Sequence, residues 1–160
     1  MLRFYHAKLI LLEFGLDTDS RCNFCQLHPD TVPHIFSNCK KFFPIWEFLD
    51  VIMKKLNFRF SFITSRRVCD YDLVNRKLKK DEEAIVLYLN TITNHKIWKY
   101  SRKIQFEEWV FNMKEFVSSL IKTIESRKRV EELDKIKHCQ KIKDIDALST
   151  ATKWASLSVR

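Results

Sequence analysis

A mostly α-helical fold follows from three features of this sequence. Its 160 residues include one glycine and three prolines, too few for the many tight turns of a sandwich or barrel. Apolar residues make up 46% of the chain, with 13 Phe and 4 Trp, a composition unlike that of a disordered tail. Those residues also recur at steps of three and four in several segments, the period of a helix with one buried face.

Leu2, Tyr5, Leu9 and Leu12 mark a first helix. Gly15 stands where a C′ residue would end it. Asp17–Ser20 then reads as a loop into a cysteine-rich stretch that runs to Cys39, punctuated by Pro29 and Pro33. A second helix starts near Pro44, which suits a first helical position. Its stripe is Ile45, Leu49, Ile52 and Leu56, with Trp46 and Met53 alongside. Phe58, Phe60 and Phe62 alternate with Arg59 and Ser61, so a short extended segment or strand is expected, with no obvious pairing partner.

Residues 64–80 are polar and basic and read as a surface loop or linker. Asp81-Glu82-Glu83 supplies a cap and an acidic first turn for a third helix. Ile85, Tyr88, Leu89 and Ile92 give that helix its face, and it continues through Trp98 toward Arg102. A last helix is expected from near Phe106, with Trp109, Val110, Met113, Val117, Leu120, Ile121 and Ile124 on one stripe. Beyond it the pairs Glu125/Arg129 and Glu131/Lys135 support a charged, exposed continuation with Leu133, Ile136 and Ile142. Residues 147–160 are polar and small apart from Trp154 and read as a loosely ordered tail. The predicted organisation is therefore 1–60, 61–80 as a basic linker, 81–145 and 146–160, with no internal repeat.

The sharpest chemical signal is Cys22-Asn23-Phe24-Cys25 followed by His34 and Cys39, the pattern C-x2-C-x8-H-x4-C. Four soft or borderline ligands within so short a loop can close a tetrahedral shell around Zn²⁺. Cys22 and Cys25 form a tight knuckle. His34 and Cys39 are about one helical turn apart, so both can return to one ion. Residues 17–41 have too few apolar side chains to fold alone, and thiolate–zinc bonds can hold such a loop. His28 is the alternative to His34. Cys69 and Cys139 stand alone and read as plain thiols, and His138 as a surface residue. With four protein ligands the zinc is structural, because no position is left for water.

The formal net charge of +9 favours an anionic partner, most simply RNA or DNA. The candidate contacts are Lys40 and Lys41 after the last ligand, Arg66 and Arg67, and Arg76, Lys77, Lys79 and Lys80. Lys96–Lys103 is a further basic stretch. Phe42, Phe43, Trp98 and Tyr100 lie among these cations, either as core residues or as platforms for single-stranded bases. The basic residues are spread along the chain, and no apolar run is long enough to span a bilayer, so no membrane is expected. The N-terminus makes a poor signal peptide. Arg76–Lys80 and Arg127–Arg129 fit an intracellular, nuclear or cytoplasmic protein. One glycine excludes a P-loop, a dinucleotide fingerprint and a nucleophile elbow. No adjacent aspartate pair and no deaminase signature occur, so neither an enzyme nor a small-molecule substrate is expected.

The stretch from Cys22-Asn23-Phe24-Cys25 through Thr31-Val32-Pro33-His34-Ile35-Phe36 to Cys39 and Trp46 resembles the zinc-binding domain at the C-terminal end of non-LTR (LINE-type) retrotransposon polyproteins. In that family a Cys-x-Phe/Leu-Cys knuckle leads to Glu-Thr, then His-Leu-Phe, a further Cys and shortly a Trp. Asp30 stands here where Glu is usual. The Leu-x-x-Gly-Leu lead-in is matched near Gly15, and the likeness covers about residues 11–49. Beyond it the order of helix, long helix and Lys153-Trp154 is similar, whereas the family's segment after the second helix is not recognisable around Cys69. The resemblance implies zinc on Cys22, Cys25, His34 and Cys39, nucleic-acid binding, and a fragment of a longer element without its polymerase or endonuclease. The fold expected is a helical domain with a small CCHC zinc knuckle inserted between the first two helices. The rivals are a zinc-stapled protein-interaction module and a retroelement remnant without selected function.

Overall fold

The computed structural model describes residues 13–15, 19–64 and 78–133. Within them the chain is helical. The only extended pairing among the described residues is an isolated antiparallel bridge between Arg21 and Pro29. The first predicted helix lies outside the described residues. Its expected terminator, Gly15, does take the left-handed conformation, with φ +69°, that a C′ glycine adopts.

Helix α1 spans Phe43–Lys55 and is entered through a 3-10 turn over Lys40–Phe42. Pro44 sits in its first turn, where its missing N–H removes no helical bond. Ile45, Phe48, Leu49, Ile52 and Met53 are buried. The helix ends without a glycine. Asn57 takes φ +57°, and the N–H groups of Asn57 and Phe58 donate to the carbonyls of Lys54 and Met53, both at 3.0 Å. This is the Schellman arrangement with Asn in the left-handed place.

Phe58, Phe60 and Phe62 are buried and Arg59 is exposed, as the period of two predicts. Among the described residues no strand pairs with this segment. Two buried carboxylates take the role of a ladder. Glu82 accepts the Phe60 N–H at 2.9 Å. Asp50 accepts the Phe62 N–H, the Ser61 hydroxyl at 2.6 Å and the Ile63 N–H at 3.4 Å. A buried carboxylate is tolerated only with such partners.

Helices α2, Lys80–Glu107, and α3, Met113–Leu133, form a helical hairpin. Asp81, Glu82 and Glu83 occupy the first turn of α2 and complement its dipole. The pairing is antiparallel. The Tyr88 hydroxyl donates to the Thr123 carbonyl at 3.4 Å, Lys96 reaches Ser119 at 2.7 Å, and the rings of Tyr100 and Phe116 lie 5.1 Å apart. Between the helices Ile85, Leu89, Ile97, Phe116, Leu120 and Ile124 are fully buried.

The last helix does not start near Phe106, as its apolar stripe suggests. Phe106 belongs to α2, which stops where Glu108 takes φ +51°. Asn112 then caps α3, its side-chain oxygen accepting the N–H groups of Lys114 at 3.0 Å and Glu115 at 3.3 Å. The loop turns Trp109 and Phe111 back onto the core, while Phe106 is 62% and Val110 83% exposed. One core cluster runs from Cys22 to Ile124. No helix among the described residues is long and apolar enough to cross a membrane.

Candidate metal centre

The loop before α1 is built in two halves that face each other. In the first, Cys22 N–H donates to the His28 carbonyl at 2.8 Å and Asp30 N–H to that of Ser20 at 2.7 Å. Gln26 closes the turn with φ +57°, its N–H on the Cys22 carbonyl at 2.9 Å. In the second half, the Thr31 hydroxyl accepts the His34 N–H at 3.2 Å and the Thr31 carbonyl accepts that of Ile35 at 2.9 Å. Thr31 thus holds the helical residues 32–33, which lead into a π-helical turn over His34–Asn38. The turn packs against α2.

That π-turn matters for the site. Residues five apart lie about 140° apart around an α-helix. The wider turn, with Cys39 N–H on the His34 carbonyl at 2.7 Å, brings the two side chains to one side. The sequence spacing indicates that His34 and Cys39 share a point; the kind of turn that achieves it comes from the fold.

The ligand atoms of Cys22, Cys25, His34 and Cys39 all lie within 4.8 Å of one another. Cys22 Sγ and Cys39 Sγ are 3.9 Å apart. Cys25 Sγ lies 3.3 Å from Nε2 of His34. This is a Cys3His group able to hold a metal ion. Cys22, Cys39 and His34 are buried and Cys25 partly so. His28 is exposed, its ring 5.3 Å from that of His34, and it contributes its carbonyl to the knuckle instead of its imidazole.

The electrostatics favour a cation here. The Cys22 thiol is lowered to about 5, chiefly by a hydrogen bond from Cys39; burial opposes this, and the Cys25 and Phe24 N–H groups and His34 assist. Cys39 is pushed far above the ordinary thiol range by that same bond, by burial and by the charge on Cys22 and Cys25, against a single N–H from Lys41. Binding a cation among the four ligand atoms requires the thiols to give up their protons, and the cation then balances the charge they develop. The N–H groups on sulfur orient the ligands and offset their charge. As backbone groups they leave no trace in residue identity.

The centre is anchored from behind by aromatic side chains. Phe24, inside the knuckle, packs edge-on against Phe42 at 4.6 Å and Phe111 at 5.2 Å. Phe42 reaches Phe116 at 5.8 Å, and Phe111 reaches Tyr100 at 6.2 Å. The cysteine spacing contains no hint of Phe111, which joins through the short loop between α2 and α3.

The basic candidates are distributed. Lys40 and Lys41 are exposed beside the last ligand, and Lys79 and Lys80 are exposed at the start of α2. Arg66, Arg67, Arg76 and Lys77 lie outside the described residues, as do Cys69, His138 and Cys139. Of the aromatic candidates, Phe42 and Tyr100 are core residues, Phe43 is partly buried against the core, and Trp98 reaches the surface. Comparison of the chain with protein-family models, with curated proteins and with solved structures finds no match.

Proposed function

We propose that this chain is a zinc-stapled helical module that binds RNA or DNA and performs no catalysis of its own, of the kind found at the C-terminal end of LINE-type retrotransposon proteins. The observation that carries the zinc reading is the convergence of four donors from two halves of one loop. In a tetrahedral shell with Zn–S near ~2.3 Å and Zn–N near ~2.0 Å, sulfurs sit roughly 3.8 Å apart and sulfur and nitrogen roughly 3.5 Å. The 3.9 Å between the Cys22 and Cys39 sulfurs and the 3.3 Å between the Cys25 sulfur and His34 Nε2 fit that shell, and all four ligand atoms lie within 4.8 Å of one another. Three thiolates and an imidazole suit zinc over harder ions. Four protein ligands make the ion structural, with Cys22, Cys25, His34 and Cys39 holding it.

Nucleic-acid binding is supported by the net charge of +9, by exposed Lys40 and Lys41 beside the centre and by exposed Lys79 and Lys80. The knuckle's likeness to the retrotransposon module points the same way. The test has two stages. Elemental analysis of purified protein should give one zinc per chain, lost with part of the circular dichroism signal on chelation and lost in Cys25→Ser. Oligonucleotide binding should then weaken steeply with salt, as phosphate contacts do, and fall in Lys40→Glu/Lys41→Glu. Absence of metal with no effect of chelator sinks the zinc reading. Unchanged affinity in that double lysine variant sinks the proposed contacts.

A second reading has the exposed Phe106 and Val110 at the hairpin loop in its favour: a zinc-stapled module that docks a protein partner. Such binding should depend weakly on salt and be spared by Lys40→Glu/Lys41→Glu.

A further inference from the structure

We infer that the outer ridge of α2, from His95 to Phe106, is a stacking platform for single-stranded nucleic acid. The inference rests on the nucleic-acid reading above and names a site for it apart from the lysines beside the metal. His95, Trp98, Lys99, Arg102 and Phe106 follow one another at steps of three and four or adjoin, so they share a helix face. That face is turned from the core: His95, Lys99 and Phe106 are exposed, and Trp98 is 36% exposed. Tyr100, in the same basic stretch, is buried against Phe116.

Two pairings give the ridge its character. The His95 ring lies 5.7 Å from that of Trp98 at a shallow angle of 33°. The Arg102 guanidinium sits 4.5 Å above the Phe106 ring. The second couples an aromatic face to a cation, and Lys103 makes a further such pair, 5.2 Å over the partly buried Trp109. From Ala84 to Phe106 the helix contains no carboxylate; exposed Glu107 and Glu108 follow at its end. Trp98 and Phe106 lie ~12 Å apart along the axis, a span that several nucleotides of a single strand can cover.

Exposed aromatic rings offer faces that a stacking partner can cover. Bases do so without regard to sequence, since each has a π-face, and flanking cations hold the backbone. A duplex keeps its bases stacked internally and cannot use the rings. The charge and the rings together therefore select a single strand.

The test is fluorescence anisotropy of the full chain, purified with zinc, on a labelled uridine 12-mer, a labelled thymidine 12-mer and a labelled duplex of equal length. Trp98→Leu with Phe106→Leu should lose single-strand affinity by roughly tenfold or more, with zinc content and circular dichroism unchanged. Trp98→Phe, which keeps a ring, should retain most of it. Lys99→Gln with Arg102→Gln should flatten the salt dependence. Wild-type single-strand affinity with full salt dependence in the double Leu variant overturns the platform and leaves the nucleic-acid reading standing. Tighter binding of the duplex than of either single strand also overturns it. No oligonucleotide binding by the zinc-loaded wild type removes both. A dimer in sedimentation that the double Leu variant dissolves, with oligonucleotide binding unchanged, makes the ridge a contact between copies and overturns the platform.

Discussion

Between Asp19 and Phe42 the loop buries Phe24, Ile35, Phe36 and Phe42 and little else that is apolar besides its cysteines. The hairpin of α2 and α3 lines its seam with Ile85, Leu89, Ile97, Phe116, Leu120 and Ile124. The loop therefore depends on four converging ligands and a set of backbone hydrogen bonds, the hairpin on a continuous apolar stripe. The two regions differ in what unfolds them. They are joined where Phe24 and Phe42 meet Phe111 and Phe116, and they fail independently only as far as that aromatic contact permits.

The largest effect should come from breaking the ligand set. Cys39→Ala should abolish metal retention and forfeit an apparent metal contribution on the order of 10 kcal/mol. Most of the helical signal at 222 nm should survive, because the hairpin has its own core. Complete loss of helicity would mean that the hairpin also requires the ion. The metal should likewise be released on acidification, since its ligands must be deprotonated.

Phe42→Ala strikes the junction. Phe42 is fully buried, and truncating a buried Phe costs about 3–5 kcal/mol. Chemical denaturation should show that loss, and a chelator competition should show weaker metal retention as well. A stability loss with unchanged metal affinity would show that the knuckle holds itself without the aromatic contact.

Asp50→Ala tests the segment after α1, apart from both the ligand set and the apolar seam of the hairpin. It removes the acceptor of the Ser61, Phe62 and Ile63 donors and should cost about 2–3 kcal/mol, as bonds to a charged group do. Metal content should be unaffected.

The smallest effect is expected at Lys96, in the hairpin. Its Nζ bonds the Ser119 hydroxyl at 2.7 Å, and burial, then Lys99, push its ammonium below the ordinary 10.5. A lowered folded-state value means that the unfolded chain binds more protons between that value and 10.5. This group's contribution to stability therefore rises with pH across that window. Lys96→Met keeps the aliphatic stem and should change stability at pH 7 by less than about 1 kcal/mol. It should also flatten the alkaline rise in a urea titration series. A large loss at pH 7 would mean that the hairpin relies on the ammonium as well as its apolar seam.

Some of this was legible residue by residue. Pro44 and the stripe from Ile45 to Ile52 predict α1, and Asp81–Glu83 predicts the start of α2. The break between α2 and α3 was hidden, because an unbroken stripe from Phe106 to Ile124 looks like one helix and neither Gly nor Pro interrupts it. The signal that marks it is Asn112 followed three residues later by Glu115, a helix-start pattern. The alternating burial of Phe58, Phe60 and Phe62 was legible, but no strand forms there among the described residues, and the partners are carboxylates from helices, which no strand pattern announces.

By itself the sequence determined the helical class and the four metal-type donors, since periodicity and ligand spacing are local properties of the chain. Tertiary structure decided which histidine joins the cysteines and which aromatic residues are core and which surface. It also decided that a π-turn and a remote loop phenylalanine support the centre. Those outcomes depend on segments far apart in sequence competing for the same buried space, and that competition is settled only when the whole chain packs.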